Sequence, residues 1–406
     1  MNPTDYLQKL KIYRSYQLNI AHSPKENFLK ICHISSGLNT GGAEVMLYKL
    51  LSTNNLKRFD HVVVSLKDEG SIAEYIKNLG VPVFCLGMSP GRPTPKGGWR
   101  LIKLIRQLKP EIIQGWMYEG NFAAFLARIM LPRKSKLLWS IHSSLHELNK
   151  VDWLTRMLIR LESKLSLFPN FILYNSRISM EQHENFGFSS KRSLLVPNGV
   201  DCDQFKSSGN ARLKLRSSLE LDFDTFLIGR IARFHPEKDY ANLILAAKKL
   251  ISKFPNVHFV FSGREVIQSN TSLVTMIQDT GFAEKFHLLG DRRDIPEIMA
   301  GLDVHVSSSR TESFPLVIGE TMACCVPSVV TDVGDCREIV GETGRVVPPR
   351  DHEALANGLE AFIKMDSAKR FMMGKAARER IVSRFSLPSI AKRYEALYQE
   401  LLNEKN

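Results

Sequence analysis

Ser307-Ser308-Ser309-Arg310-Thr311-Glu312-Ser313-Phe314-Pro315-Leu316-Val317-Ile318-Gly319-Glu320 is the stretch on which this sequence turns. Val304 and Val306 supply the apolar end of a buried strand, and the serine run cannot continue it. A helix then begins near Pro315, because proline suits a first helical turn, where its missing N–H would be unpaired anyway. The loop therefore ends on free amides at the positive end of a helix dipole, a site for phosphate or diphosphate. Glu312 and Glu320 bracket it. Eight positions at about 1.5 Å each put them about 12 Å apart on a helical path. A carboxylate pair that cleaves one glycosidic bond as acid and nucleophile stands at about 5 Å. These two suit opposite ends of one long ligand with a diphosphate in its middle.

Outward from this stretch the pattern is strand then helix, repeated. The second half predicts strands over 226–231, 257–262, 286–289, 304–307 and 328–331, with helices over 240–253, 272–280, 295–300 and 315–323. The first half predicts strands over 29–34, 61–66, 83–86, 112–116, 137–141, 171–174 and 194–196. Its helices fall near 44–52, 72–79, 99–108, 121–130, 153–167 and 179–186. Such alternation gives an α/β fold of doubly wound parallel sheets, with ligand-binding residues in the loops at the strands' carboxyl ends. The turn Pro197-Asn198-Gly199-Val200-Asp201 marks the exit from the first domain, and a polar stretch over 206–224 leads into the second.

Several of those loops carry chemistry. Arg233 and Lys238 follow the strand over 226–231; arginine can grip phosphate oxygens in two places and lysine neutralises them as a point charge. Ser262-Gly263-Arg264 is a close-approach turn with a cation, and Gly290-Asp291-Arg292-Arg293-Asp294 is a polar loop suited to a nucleobase edge. In the first half, Gly41 and Gly42 open a helix and let backbone approach a ligand; the spacing is not Gly-x-Gly-x-x-Gly, which disfavours a nicotinamide site. His142 stands at a strand end, where a lone histidine is more often structural. Asn175-Ser176 reads as a helix cap as readily as a ligand contact. Asp201-Cys202-Asp203 and Asp222-Phe223-Asp224 spell Asp-x-Asp, yet they fall in the linker, where capping or turn formation is the better reading; no metal is expected.

The 406 residues accommodate two domains. Residues 1–200 hold 27 Lys and Arg against 14 Asp and Glu, a net of +13, which equals the formal charge of the whole chain. The excess suggests that the first domain faces an anionic partner, a membrane surface or an acidic glycan. Nucleic acid fits poorly, since no aromatic-basic ladder or reading motif accompanies the charge. Six cysteines without metal-ligand spacing look like reduced thiols of a cytoplasmic protein. Residues 1–27 form a polar extension without a signal peptide's apolar run, and no stretch approaches the ~20 apolar residues of a membrane span, so any membrane contact would be peripheral, on the inner face.

Taken in order, Gly41-Gly42-Ala43-Glu44, Pro197-Asn198-Gly199-Val200-Asp201, Arg233 with Lys238, Leu289-Gly290-x-Arg292, Glu312-x7-Glu320 and Thr331-Asp332-Val333-Gly334 resemble the retaining family-4 glycosyltransferases. The resemblance covers nearly everything from Phe28 onward. It implies a GT-B fold, two Rossmann-like domains facing across a cleft: an acceptor-binding domain over 28–200, a nucleotide-sugar-binding domain over 201–385, and a C-terminal helix over 386–406 able to cross back. It implies transfer of a sugar from a nucleotide-sugar donor to a glycan or lipid-linked acceptor, with retained configuration and no metal or other cofactor. By the same resemblance Arg233 and Lys238 bind the donor diphosphate, Glu312 contacts the donor sugar and Glu320 holds the ribose. The amides of Phe314, Leu316 and Val317 meet the phosphates, Gly41 and Gly42 lie near the donor, and His142 faces the reacting sugar. Three departures stand out: Ser313 and Cys325 where glycine is usual, and Thr321 where alanine is usual. Cys325 falls past a helix end, where glycine supplies a left-handed cap. An epimerase or phosphorylase of the same architecture, or a non-catalytic binding subunit, are the competing readings.

Overall fold

Val62-Val63-Val64, Leu137-Leu138-Trp139 and Val257-His258-Phe259-Val260-Phe261 are buried at every position, the mark of strands covered on both faces. The computed structural model describes residues 29–39, 41–88, 95–131, 135–145, 148 and 152–403. The extension expected over 1–27 lies outside the described residues. By their contacts, the residues up to Asn175, Ser179–Val196 and those from Ala391 onward form one unit; Ser176–Ile178 and Pro197–Ile390 form a second.

The first unit is a parallel sheet in the order β3-β2-β1-β4-β5-β6-β7, built from β1 (Lys30–Ser35), β2 (Asp60–Ser65), β3 (Val83–Cys85), β4 (Ile112–Trp116), β5 (Lys136–Ile141), β6 (Phe171–Tyr174) and β7 (Ser193–Leu195). Its connecting helices are α1 (Gly42–Leu51), α2 (Gly70–Asn78), α3 (Pro95–Leu108), α4 (Met117–Ile129), α5 (Trp153–Leu165) and α6 (Arg177–Phe186). The second sheet runs β10-β9-β8-β11-β12-β13, again parallel, from β8 (Phe226–Ile231), β9 (Val257–Ser262), β10 (Phe286–Leu288), β11 (Val304–Ser307), β12 (Ser328–Thr331) and β13 (Arg345–Val347). It carries α7 (Ala211–Ser218), α8 (Tyr240–Lys253), α9 (Thr271–Gln278), α10 (Ile295–Ala300), α11 (Leu316–Ala323), α12 (Cys336–Val340), α13 (His352–Ile363) and α14 (Ser367–Arg384). The last helix, α15 (Leu387–Asn403), starts in the second unit and continues in the first, where Tyr398 Oη donates to Gln114 Oε1 at 2.5 Å and packs edge-on against Phe59.

Three local expectations need correction. The stretch over 206–224 is not simply a polar linker: it contains α7, whose Arg216 is fully buried and reaches Asp303 Oδ2 at 2.6 Å and the Gly301 and Thr225 carbonyls. Helix α4 begins at Met117, four residues early. It leaves β4 without a loop through Met117 at φ +62°, and a Cβ on Gly120 would meet Ile34 O at 2.4 Å, so only glycine lets that first turn lie on β1. Helix α12 and strand β13 were not foreseen; each is five residues or fewer.

Candidate functional site

β8 and β11 are paired in the second sheet although far apart in sequence, so the strand order reverses between them. The loops leaving their carboxyl ends open where doubly wound sheets take ligands. After β8 the chain enters a 3-10 turn, Pro236–Lys238, and Asp239, at φ +48°, starts α8. After β11 it runs through Ser308–Phe314 to Pro315, the N-cap of α11, whose first amides have no carbonyl of their own helix to reach. The two loops are tied together. Lys238 Nζ donates to Glu312 Oε1 at 2.6 Å, and Ser309 Oγ donates to the same oxygen at 2.7 Å. Ser308 Oγ donates to the Lys238 carbonyl at 2.9 Å, Arg310 pairs with buried Asp239 at 2.8 Å, and Thr331 Oγ1 of β12 donates to Ser309 O at 2.7 Å.

The neighbouring turns are pinned to this pair of loops. Gly263, at φ +146°, lies so close to the β8 turn that a Cβ would meet Ala232 O at 2.3 Å; Phe234 N donates to Arg264 O, and Ser262 Oγ to Gly290 O at 2.8 Å. Gly334 does the same for the other loop, where a Cβ would meet Glu312 O at 2.5 Å. Ser313 Oγ hydrogen-bonds Ser176 Oγ at 2.7 Å, and Asp335, its carboxyl raised by burial, accepts from the Arg177 and Ile178 amides.

Of the residues expected at the site, Arg233, Lys238, Glu312, Ser313 and the Phe314–Val317 segment are thus gathered at the β8/β11 switch. Arg233 and Arg264 are exposed, and among the described residues neither side chain makes a hydrogen bond or ion pair. Glu320 sits half-buried in the second turn of α11. The Phe314 side chain is spent on the core beside Phe385, so only its backbone is available, and the Arg292 side chain is held by Asp294 at 2.5 and 2.7 Å. Cys325 does take the left-handed conformation, at φ +63°, without being glycine.

Arg230 was missed. It is 1% exposed, next to last in β8, and burial pulls its pKa down. Its guanidinium donates to Ser307 Oγ and Ser309 Oγ, both at 2.9 Å, and to the Lys238 carbonyl at 3.2 Å. A charge inside an otherwise apolar strand was the available signal.

In the first unit Gly41 is the extended N-cap of α1, and the space above Gly42 is open: a Cβ there would meet nothing within 4 Å. The packing constraint falls instead on Gly70, at φ +64°, where a Cβ would strike Leu38 at 2.4 Å. His142, half-buried after β5, stacks on Trp116 with centroids 5.2 Å apart. Its loop is anchored by Ser179 Oγ donating to Ser143 O at 2.6 Å and by Tyr118 Oη meeting Ser143 Oγ at 3.1 Å. Behind Trp116 runs a chain no motif revealed. The indole N–H can only donate, so His33 Nδ1 accepts it at 3.2 Å. His33 Nε2 then donates to His61 Nδ1 at 3.0 Å, and His61 Nε2 donates to Leu56 O at 2.9 Å. Both rings are thereby neutral, and burial pulls both pKa values down, His61 to about 4. Among the described residues no group of three or more His, Cys, Asp or Glu could hold a metal ion.

Two doubly wound parallel sheets of seven and six strands are the architecture of the GT-B glycosyltransferases. Residues 212–380 match the family described as Glycosyl transferases group 1, and residues 40–204 match Glycosyltransferase Family 4. The chain belongs to the family-4 glycosyltransferases. It is 24% identical over 392 residues to the UDP-Gal:alpha-D-GlcNAc-diphosphoundecaprenol alpha-1,3-galactosyltransferase of Escherichia coli, covering 93% of this chain and 98% of that one. It is 24% identical over 284 residues to the N-acetyl-alpha-D-glucosaminyl L-malate synthase of Bacillus anthracis, 69% of this chain and 72% of that protein. The crystal structure of Anabaena Alr3699/HepE in complex with UDP and glucose superposes with a TM-score of 0.77 at 22% identity, covering 92% of this chain and all of that one.

Proposed function

We propose that this protein is a metal-independent, retaining hexosyltransferase that moves a sugar from a nucleoside diphosphate donor to a lipid-linked or glycan acceptor during cell-surface polysaccharide or glycolipid assembly. The observation that carries it is the Lys238–Glu312 pair standing beside the open N-terminus of α11 at the β8/β11 switch. A leaving diphosphate gains charge as the glycosidic bond breaks, and prepositioned Lys238, Arg233 and helix amides stabilise that charge most in the transition state. Glu312 then contacts the sugar and Glu320 the ribose. That HepE was solved with UDP and glucose, and that the E. coli relative is named for a diphosphoundecaprenol acceptor, support a UDP-hexose donor and a lipid-linked acceptor.

The acceptor side belongs to the basic first unit, working at the cytoplasmic face of a membrane. Helix α5 favours this: Trp153, Met157 and Leu161 recur every fourth residue at 65%, 54% and 39% exposure, beside exposed Arg160 and Lys164, and Leu167 and Phe168 follow at 62% and 64%. A stripe of this kind lies in a lipid interface rather than across it, and no described helix is long and apolar enough to cross a membrane.

The test is a panel of UDP-, GDP- and dTDP-sugars, first by thermal shift and then by transfer to polyprenyl-diphosphate-linked sugar, with product anomers read by NMR. One donor family should stabilise the protein and yield a product of unchanged anomeric configuration without added metal. No stabilisation by any donor, or an inverted product, rejects the reading.

A further inference from the structure

Arg230 is a buried cation without a carboxylate of its own. Its two terminal nitrogens are used by Ser307 Oγ, Ser309 Oγ and the Val306 and Lys238 carbonyls, Nε has no acceptor, and the Tyr240 ring lies 6.0 Å away. Among the described residues it forms no ion pair, so its desolvation is repaid by neutral oxygens alone, a poor arrangement for stability. The direction of each bond shows what the arrangement does achieve. A guanidinium only donates, so Ser309 Oγ accepts from Arg230 and must send its own proton onward. It goes to Glu312 Oε1 at 2.7 Å, the same oxygen that receives Lys238 Nζ at 2.6 Å. Arg230 also holds the carbonyl of Lys238 itself. One guanidinium thus grips both members of the Lys238–Glu312 pair, one through backbone and one through a hydroxyl.

We propose that Arg230 is a positioning residue, holding Glu312 through Ser309 and Lys238 through its carbonyl in the arrangement that sugar transfer needs. The inference rests on the reading of that pair as the donor site. Its charge adds to the effect: Lys238 and Glu312 cancel, as do Arg310 and Asp239, so Arg230 leaves the buried side of the site net positive toward a diphosphate.

The test compares Ser309→Ala, Arg230→Lys and the double variant. Ser309→Ala removes one hydroxyl from the link and leaves the guanidinium in place. Transfer kinetics should show kcat down about 10- to 30-fold in either single variant, with the donor KM within about threefold, because the pair stays present but loosely held. The double variant should be no worse than about threefold below the poorer single, since both cut the same link. A role in folding alone would instead leave kcat per folded molecule unchanged. A second readout needs no activity: mass spectrometry of the acylation rate at Lys238 by an amine-reactive ester. Its amine should label at least about fivefold faster in Ser309→Ala than in the unaltered protein, with exposed Lys214 as an unchanged control. If no donor is turned over by any form, the functional reading fails while the Lys238 rate still judges the positioning. Unchanged Lys238 labelling, a Ser309→Ala enzyme with kcat within twofold of the unaltered one, or multiplicative losses in the double variant would each overturn the proposal.

Discussion

Arg233→Ala separates function from folding at the proposed donor site. The side chain is exposed and, among the described residues, bonds to nothing, so its removal should change stability by no more than about 0.5 kcal/mol. If it stabilises charge on the departing diphosphate, the loss appears in turnover. Removing one prepositioned electrostatic contact to a developing anion typically costs about 10²- to 10³-fold, or about 2.7–4 kcal/mol of transition-state stabilisation. Arg233→Lys keeps the charge but not the two-pronged grip, and should recover only part of that loss. Lys238→Ala should cost at least as much, since it also strips Glu312 of a partner at 2.6 Å. The assay is initial-rate transfer at saturating donor, with thermal unfolding of each variant alongside. An Arg233→Ala enzyme with kcat within threefold of the unaltered one refutes the placement of the diphosphate, and a large loss of melting temperature refutes the claim that the arginine is structurally idle.

The remaining predictions test other parts of the molecule. Trp153→Ser with Met157→Ser, both exposed and so nearly neutral for folding, should lower binding to vesicles of anionic lipid at least roughly tenfold, and unaltered sedimentation would count against the α5 stripe as the lipid contact. Cys325→Gly should relieve the strain of a side chain at φ +63°, adding a few tenths to about 1 kcal/mol in urea unfolding; a loss of stability would show the thiol's packing matters more. His61 ties stability to pH. Its folded pKa lies at about 4, below the ordinary value near 6.5, so its contribution is full above the unfolded pKa and is lost as pH falls through that window. Relative to His61→Gln, the unaltered first unit should lose up to about 1.4 kcal/mol more per pH unit there. Tryptophan fluorescence follows that unit selectively, since Trp99, Trp116, Trp139 and Trp153 all belong to it, and parallel stability curves for the two proteins would exclude a neutral buried His61.

Twelve of the thirteen described strands were legible because most are short, nearly unbroken apolar runs, and covering both faces leaves that signature in the sequence itself; β13, Arg-Val-Val at a sheet edge, carries no such run. Helix α7 was not, since Ala-Arg-Leu-Lys-Leu-Arg-Ser-Ser buries only three positions, and one of them is an arginine whose partner Asp303 stands 87 residues away. The same limit governed the site. Lys238 and Glu312 sit in loops whose composition announces a ligand, whereas Arg230 is defined by Ser307 and Ser309, 77 and 79 residues further on, and the His33–His61–Trp116 chain joins three different strands. Spacing along the chain carries information about neighbours on one loop or helix face. It carries none about which residues meet across a sheet.

One strand and its turn supply three cations at three depths: Arg230 at 1% exposure, Lys238 with a fifth of its side chain exposed, and Arg233 open to solvent. Charge–charge attraction grows as solvent screening falls, so the deepest of the three contributes the least screened field, while its hydrogen bonds leave it no freedom to reorganise. The outermost, exposed Arg233, would on the proposed reading adjust its fork to the donor diphosphate, at the cost of screening and side-chain entropy. On the proposed donor site, depth would divide the work: Arg230 holding Ser309 and the Lys238 carbonyl, Lys238 meeting both Glu312 and the diphosphate, and Arg233 closing on that diphosphate. Moving the buried charge to the surface, by pairing Arg230→Met with a cation at Ala232, would keep the net charge yet surrender the unscreened part of the field, and on this argument transfer should not recover.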